Sequence, residues 1–179
     1  MGCFGDGGAV FTNKKELAEK IKKLRIHGQN KRYHHEYIGM GGRLDTLQAA
    51  VLSVKLNHYS QDLKKRQNVA NKYIELLQNS EVILPFLEEE RTSCWAQFSI
   101  RVKNREELKF KLAENGIPTA IHYPIPLHLQ DCFKYLGHQD GEYEISEKVA
   151  KEIISLPMNP YLTSSQLKTI SRQVIRTCS

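Results

Sequence analysis

The sequence predicts an α/β fold, and three patterns carry that expectation. Apolar residues recur at helical spacing in several stretches, and the run from Cys94 to Val102 alternates with a period of two. Strand and helix signals then take turns along the second part of the chain, which suggests a small α/β layer.

The residues up to Phe11 are glycine-rich and apolar, and Gly5-Asp6-Gly7-Gly8 reads as a tight turn between strands. It fits neither of the common glycine-rich nucleotide motifs. Asn13 with Glu16 predicts a capping box, Leu17, Ile21 and Leu24 form the stripe of a helix, and Gly28 stands where that helix would end. Residues 29–43 show no period. Leu44 to Leu56 is apolar on most sides, as in a helix that is buried or packed against a second subunit. Ser60 is placed to cap a separate helix running through Leu63, Ala70, Tyr73 and Leu77.

After Pro85 comes the alternating strand, with Cys94, Ala96, Phe98, Ile100 and Val102 on one face. Asn104 with Glu107 predicts a second capping box, ahead of a helix carrying Leu108 and Leu112 and ending at Gly116. Thr119 to His122 reads as a short strand entering Tyr123-Pro124-Ile125-Pro126. A helix over Ile145–Ile154 follows, and then one capped by Thr163 with Gln166.

The chain has 179 residues and a formal charge of +6, which suits an anionic ligand without choosing one. No apolar run reaches the ~20 residues of a membrane span, and no signal peptide is visible. Cys3, Cys94, Cys132 and Cys178 are widely spaced, as expected of free thiols in the cytoplasm. The lysine-rich stretches lack the interleaved aromatics of a nucleic-acid motif, so neither nucleic acid nor a membrane is expected as a partner. Seven histidines are present, but only His128 and Cys132, four apart, have a spacing that suits a shared helix face. With no second ligand pair, no metal site is expected.

Six stretches together carry a resemblance. They are Gly2-Cys3-Phe4-Gly5-Asp6-Gly7-Gly8-Ala9, Leu24-Arg25-Ile26-His27-Gly28, Arg43-Leu44-Asp45-Thr46-Leu47-Gln48-Ala49-Ala50, Gly116-Ile117-Pro118-Thr119-Ala120, His122-Tyr123-Pro124-Ile125-Pro126-Leu127-His128 and Ser155-Leu156-Pro157-Met158. In this order they resemble the DegT/DnrJ/StrS family of nucleotide-sugar aminotransferases. The resemblance implies the end of the large domain and the small C-terminal α/β domain of a fold-type I aminotransferase, divided as residues 1–59 and 60–179. It implies pyridoxal phosphate as cofactor, glutamate as amino donor and a keto-sugar nucleotide as acceptor, in a homodimer serving surface polysaccharide synthesis. A UDP-linked 3-keto uronic sugar is the acceptor it favours.

The family's Schiff-base lysine lies a few residues before the glycine matching Gly2, and Met1 stands at a family leucine. The chain is therefore expected to be the C-terminal part of such an enzyme, without a catalytic residue of its own and inactive alone. By resemblance, Gly41 matches an asparagine that reaches the cofactor phosphate of the neighbouring subunit. Arg43 matches an arginine near the substrate, suited to a carboxylate through its bidentate fork, and His122 and Tyr123 match residues close to the nucleotide-sugar. His27 matches a family histidine without an assigned role. Against these stand plainer readings: Arg43 in a structural ion pair, Tyr123 packing a proline-rich turn and His27 at a helix end. The competing function is a non-catalytic nucleotide-sugar-binding or dimerisation module.

Overall fold

Gly2 and residues 4–178 are described by a computed structural model. Met1, Cys3 and Ser179 lie outside the described residues, and with them the expectations on the Met1 position and the Cys3 thiol. The chain forms two units, residues 1–60 and 61–179.

In the first unit, helix α1 (Lys15–Leu24) is followed by a short antiparallel hairpin, β1 (Gln29–Lys31) and β2 (His34–His35), in the stretch where no period was readable. The predicted Asn13–Glu16 capping box does not form. The cap is Lys14, without a side-chain bond, and its N–H donates to Thr12 Oγ1 at 3.1 Å, so a local turn competes with the box. Gly28 does close the helix end: it takes φ +74° and donates its N–H to the Lys23 carbonyl at 2.9 Å. The Gly5–Gly8 stretch has no strand on either side among the described residues, which corrects the turn-between-strands expectation. Gln48 holds the residue ahead of it, accepting from the Phe4 N–H at 2.7 Å and donating to the Phe4 carbonyl at 2.9 Å.

Helix α2 runs unbroken for 32 residues, Thr46–Leu77, so Ser60 caps nothing. No glycine or proline lies between residues 43 and 84, and extending a formed helix is easier than nucleating a second one. Its first half belongs to the first unit and its second half to the other.

The second unit holds the core. Strands β3 (Phe98–Arg101) and β4 (Ile153–Leu156) pair antiparallel, with Ser99 opposite Ser155 and Ile100 opposite Ile154. Single bridges extend the sheet on both sides, Ile83 to Arg101 and Ala120 to Ser155. Helices α3 (Arg105–Glu114), α4 (Glu144–Glu152) and α5 (Ser164–Cys178) complete the unit. Phe98, Ile100, Leu108, Leu112 and Ile154 are fully buried with Tyr73 and Leu77 of α2 and Val174 of α5. Tyr73 stacks on Phe98 at 4.8 Å between ring centres and donates its hydroxyl to the Pro157 carbonyl at 2.9 Å. Burial pushes the Tyr73 hydroxyl well above its ordinary pKa.

Three expectations are corrected here. The alternating strand is shorter than Cys94–Val102, since Cys94 and Ala96 are exposed and only Phe98, Ile100 and Val102 point inward. Asn104 caps α3 by backbone alone, because its φ of −104° and ψ of 60° do not aim the side chain at the helix N–H groups. The helix predicted to Ile154 stops at Glu152, where β-branched Ile153 and Ile154 leave it to pair with β3. The Thr163–Gln166 box forms as predicted: Gln166 Oε1 accepts from the Thr163 N–H at 2.9 Å, and Thr163 Oγ1 accepts from the Gln166 N–H at 3.3 Å.

Candidate functional site

Each unit carries its own share of the candidate residues. In the first, the chain leaves α1 and bridges back on itself, Ile26 opposite Gly41. The flanking bonds run from the His27 N–H to the Met40 carbonyl (3.0 Å) and from the Gly42 N–H to the Arg25 carbonyl (2.8 Å). Gly41 stands opposite Ile26 in that bridge without exchanging a bond itself, and among the described residues its N–H has no protein partner. A Cβ at Gly41 would lie 3.3 Å from the His27 ring, so an asparagine here would press on that histidine. His27 takes φ +62°, and its carbonyl accepts from His35 Nδ1 at 2.8 Å. That bond requires the proton of His35 to sit on Nδ1, because a carbonyl can only accept.

Arg43 lies in the irregular stretch just before α2, exposed and with no ion-pair partner among the described residues. The structural ion pair considered for it is therefore absent, and its guanidinium fork is available to an anion.

In the second unit, the loop after Thr119 brings His122 and Tyr123 together, their rings 5.6 Å apart and edge to face. They nevertheless line different clefts. His122 shares one of about 260 Å³ with Gln97, Thr119, Ser155, Leu156 and Met158. Tyr123 borders another of about 400 Å³, with Pro124, Ile125, Leu127, Val149 and Ile153. Tyr123 is 71% exposed.

Ser155 anchors this loop. Its N–H donates to the Ala120 carbonyl at 2.7 Å, its carbonyl accepts from the Ala120 N–H at 3.2 Å, and its hydroxyl meets His122 Nδ1 at 2.9 Å. Neither Ser155 nor its partner Ser99 was singled out from sequence. The only signal was the Ser155-Leu156-Pro157-Met158 stretch.

A second anchor lies at Glu147, which is buried and accepts from Gly141 N–H (2.9 Å), Tyr143 N–H (3.2 Å) and His128 Nε2 (2.9 Å). Burial pushes its carboxyl upward, but the bonds from His128, Gly141 and Tyr143 outweigh that and hold it below the ordinary carboxylate range. His128 lies in a short 3₁₀ turn, Leu127–Leu129, and Cys132 in the next, Asp131–Leu136, so the two do not share one helix face. Cys132 is exposed and His128 is committed to Glu147. Among the described residues no cluster of histidine, cysteine, aspartate and glutamate is arranged to hold a metal ion.

No described lysine is buried, and none lines either cleft. Among the described residues, then, no lysine sits in the kind of desolvated setting that activates an amine. What the described residues offer is recognition: a free guanidinium, a free backbone N–H, an anchored imidazole and an exposed phenol.

The architecture matches solved sugar aminotransferases. A DegT DnrJ EryC1 StrS aminotransferase from Brucella abortus superposes with a TM-score of 0.91 at 40% identity, over 99% of this chain and 48% of that one. S. venezuelae DesV, solved in complex with a ketimine intermediate, gives 0.92 at 36% identity, over 98% and 47%. This is the α/β fold of the pyridoxal-phosphate aminotransferases. The model of the DegT/DnrJ/EryC1/StrS aminotransferase family matches residues 1–175, and the chain belongs to that family.

Among curated relatives, the UDP-2-acetamido-2-deoxy-3-oxo-D-glucuronate aminotransferase of Pseudomonas aeruginosa is 42% identical over 170 residues, 95% of this chain and 46% of the relative. The chain spans about half the length of the curated relatives it matches. The family's cofactor is pyridoxal phosphate. No helix among the described residues is long and apolar enough to cross a membrane.

Proposed function

We propose that this chain is the C-terminal half of a pyridoxal-phosphate-dependent nucleotide-sugar aminotransferase. Its substrate would be a UDP-linked 3-keto uronic sugar, and glutamate its amino donor. The observation that carries this reading is the 42% identity to the P. aeruginosa UDP-3-oxo-glucuronate enzyme over nearly the whole chain. We place the enzyme in the cytoplasm as a homodimer, serving surface polysaccharide synthesis.

In this reading Arg43 grips the sugar carboxylate through its fork, while His122 and Tyr123 contact the nucleotide-sugar from their loop. The residues present fit a share of the cofactor site only: the free Gly41 N–H is a donor for a phosphate oxygen, across the dimer. Pyridoxal phosphate, when bound, supplies the electron sink that lets an amino group pass between carbons. In this reading the lysine that anchors it is not among these 179 residues, and the chain alone is expected to be inactive.

The test is titration calorimetry of the chain with a UDP-linked uronic sugar and with its neutral counterpart. Tighter binding of the uronic sugar, lost in Arg43→Ala, supports the assignment; equal binding of both sugars would falsify the uronic preference. Incubation with pyridoxal phosphate and borohydride should leave no lysine covalently labelled at a defined position. A single labelled lysine, with transamination from glutamate, would overturn the inactive-half reading. Sugar binding by a complete dimer that takes up no cofactor would favour the non-catalytic binding or dimerisation module. The exposed apolar side chains of residues 1–60 are the observation behind that alternative.

A further inference from the structure

We infer that Ser155 is a positioning residue for His122: its hydroxyl, backed by Ser99, holds the imidazole in place and ties its tautomer to the direction of the hydrogen-bonded line. The functional weight of this inference rests on the proposed role of His122 as a substrate contact. Three groups stand in line. Ser99 Oγ lies 2.8 Å from Ser155 Oγ, which lies 2.9 Å from His122 Nδ1. The line is fixed by backbone pairing at both links, since Ser99 faces Ser155 in the β3–β4 register and Ser155 bridges Ala120, two residues before His122. Ser155 is buried, so water competes poorly for its hydroxyl.

Each hydroxyl carries one hydrogen, so the line runs in one direction at a time. When Ser99 donates to Ser155 and Ser155 to Nδ1, the imidazole proton sits on Nε2, which becomes a donor. When Nδ1 donates to Ser155 and Ser155 to Ser99, Nε2 is bare and accepts, or donates if the ring is protonated. His35 shows the contrast within the same chain: bound to the His27 carbonyl, its Nδ1 must carry a proton. A hydroxyl at Ser155 leaves both states open while holding the ring. Among the described residues Nε2 of His122 has no protein partner, which leaves it to a ligand in the cleft that His122 lines.

The experiment is long-range proton–nitrogen NMR of the histidine rings in the ¹⁵N-labelled 179-residue chain, for wild type, Ser155→Ala, Ser155→Thr and Ser99→Ala, with His122→Ala added for the affinity measurement. Affinity for a UDP-linked uronic sugar is measured on the same samples. Ser155→Ala should move the His122 tautomer ratio to that of a solvated imidazole and weaken the sugar by about threefold to tenfold, the loss of one hydrogen bond. Ser155→Thr, which keeps the hydroxyl, should restore both. An unchanged ratio in Ser155→Ala overturns the inference. Should that variant not fold, Ser99→Ala carries the same reading, and an unchanged ratio there overturns it equally. A shifted ratio with affinity unaltered in both Ser155→Ala and His122→Ala upholds the positioning while sinking His122 as a substrate contact.

Discussion

Arg43 and Glu147 are both charged, yet their surroundings give them opposite tasks. Arg43 has no partner among the described residues, so its removal should touch binding and not folding. Arg43→Ala is expected to weaken a UDP-linked uronic sugar roughly tenfold or more, the scale of a charged hydrogen bond, with the melting temperature unchanged. Glu147 is the reverse: it is enclosed by Gly141, Tyr143 and His128 and holds the loop that carries Tyr123. Its carboxyl is held below the ordinary carboxylate range, so its bonds contribute fully above that range and are lost as pH falls through the lower folded value. Thermal melts from pH 7 to pH 3 should find Glu147→Gln less stable at neutral pH, with the gap to wild type closing under acid. A constant gap would show that the ionised carboxylate is not what matters.

At the scale of elements, the β3–β4 pair and the second half of α2 hold the second unit together. Phe98 is fully buried between Tyr73 and Trp95, so Phe98→Ala should cost about 3–5 kcal/mol in urea unfolding. Tyr73→Phe keeps the stacking and leaves the Pro157 carbonyl unpaired, with an expected cost of about 1–2 kcal/mol. The continuity of α2 makes a sharper test. Ser60→Ala should change stability little, since Ser60 sits inside the helix and caps nothing, whereas Ser60→Pro should cost about 3 kcal/mol or more. A substantial loss in Ser60→Ala would revive a break between two helices.

For the whole molecule, the two units differ in kind. Among the described residues every buried apolar side chain lies in the second unit, and in the first only Gly28 is buried. Phe4, Phe11, Ile38 and Leu47 are each more than four-fifths exposed. Apolar surface of this kind marks an interaction face or an aggregation hazard. The chain should therefore associate in sedimentation experiments, and Leu47→Glu with Val54→Glu should reduce that association without lowering the melting temperature of the second unit. A monodisperse monomer at high concentration would count against it.

Much was legible from local pattern alone. The α/β class, the helices carrying Leu17–Leu24, Leu108–Leu112 and Leu167–Val174, the Thr163–Gln166 cap and the family motifs all rest on neighbours within a few residues in sequence. Local periodicity and capping chemistry report such features directly. What depended on distant pairing was not legible. Ile153 and Ile154 leave a helix because β3 waits for them, and Asn104 lost its capping box to a backbone geometry set by its surroundings. The Ser99–Ser155–His122 line joins residues 56 and 33 positions apart. Spacing along the chain carries no trace of contacts at that separation, because only the closing of the sheet brings their side chains within hydrogen-bond reach.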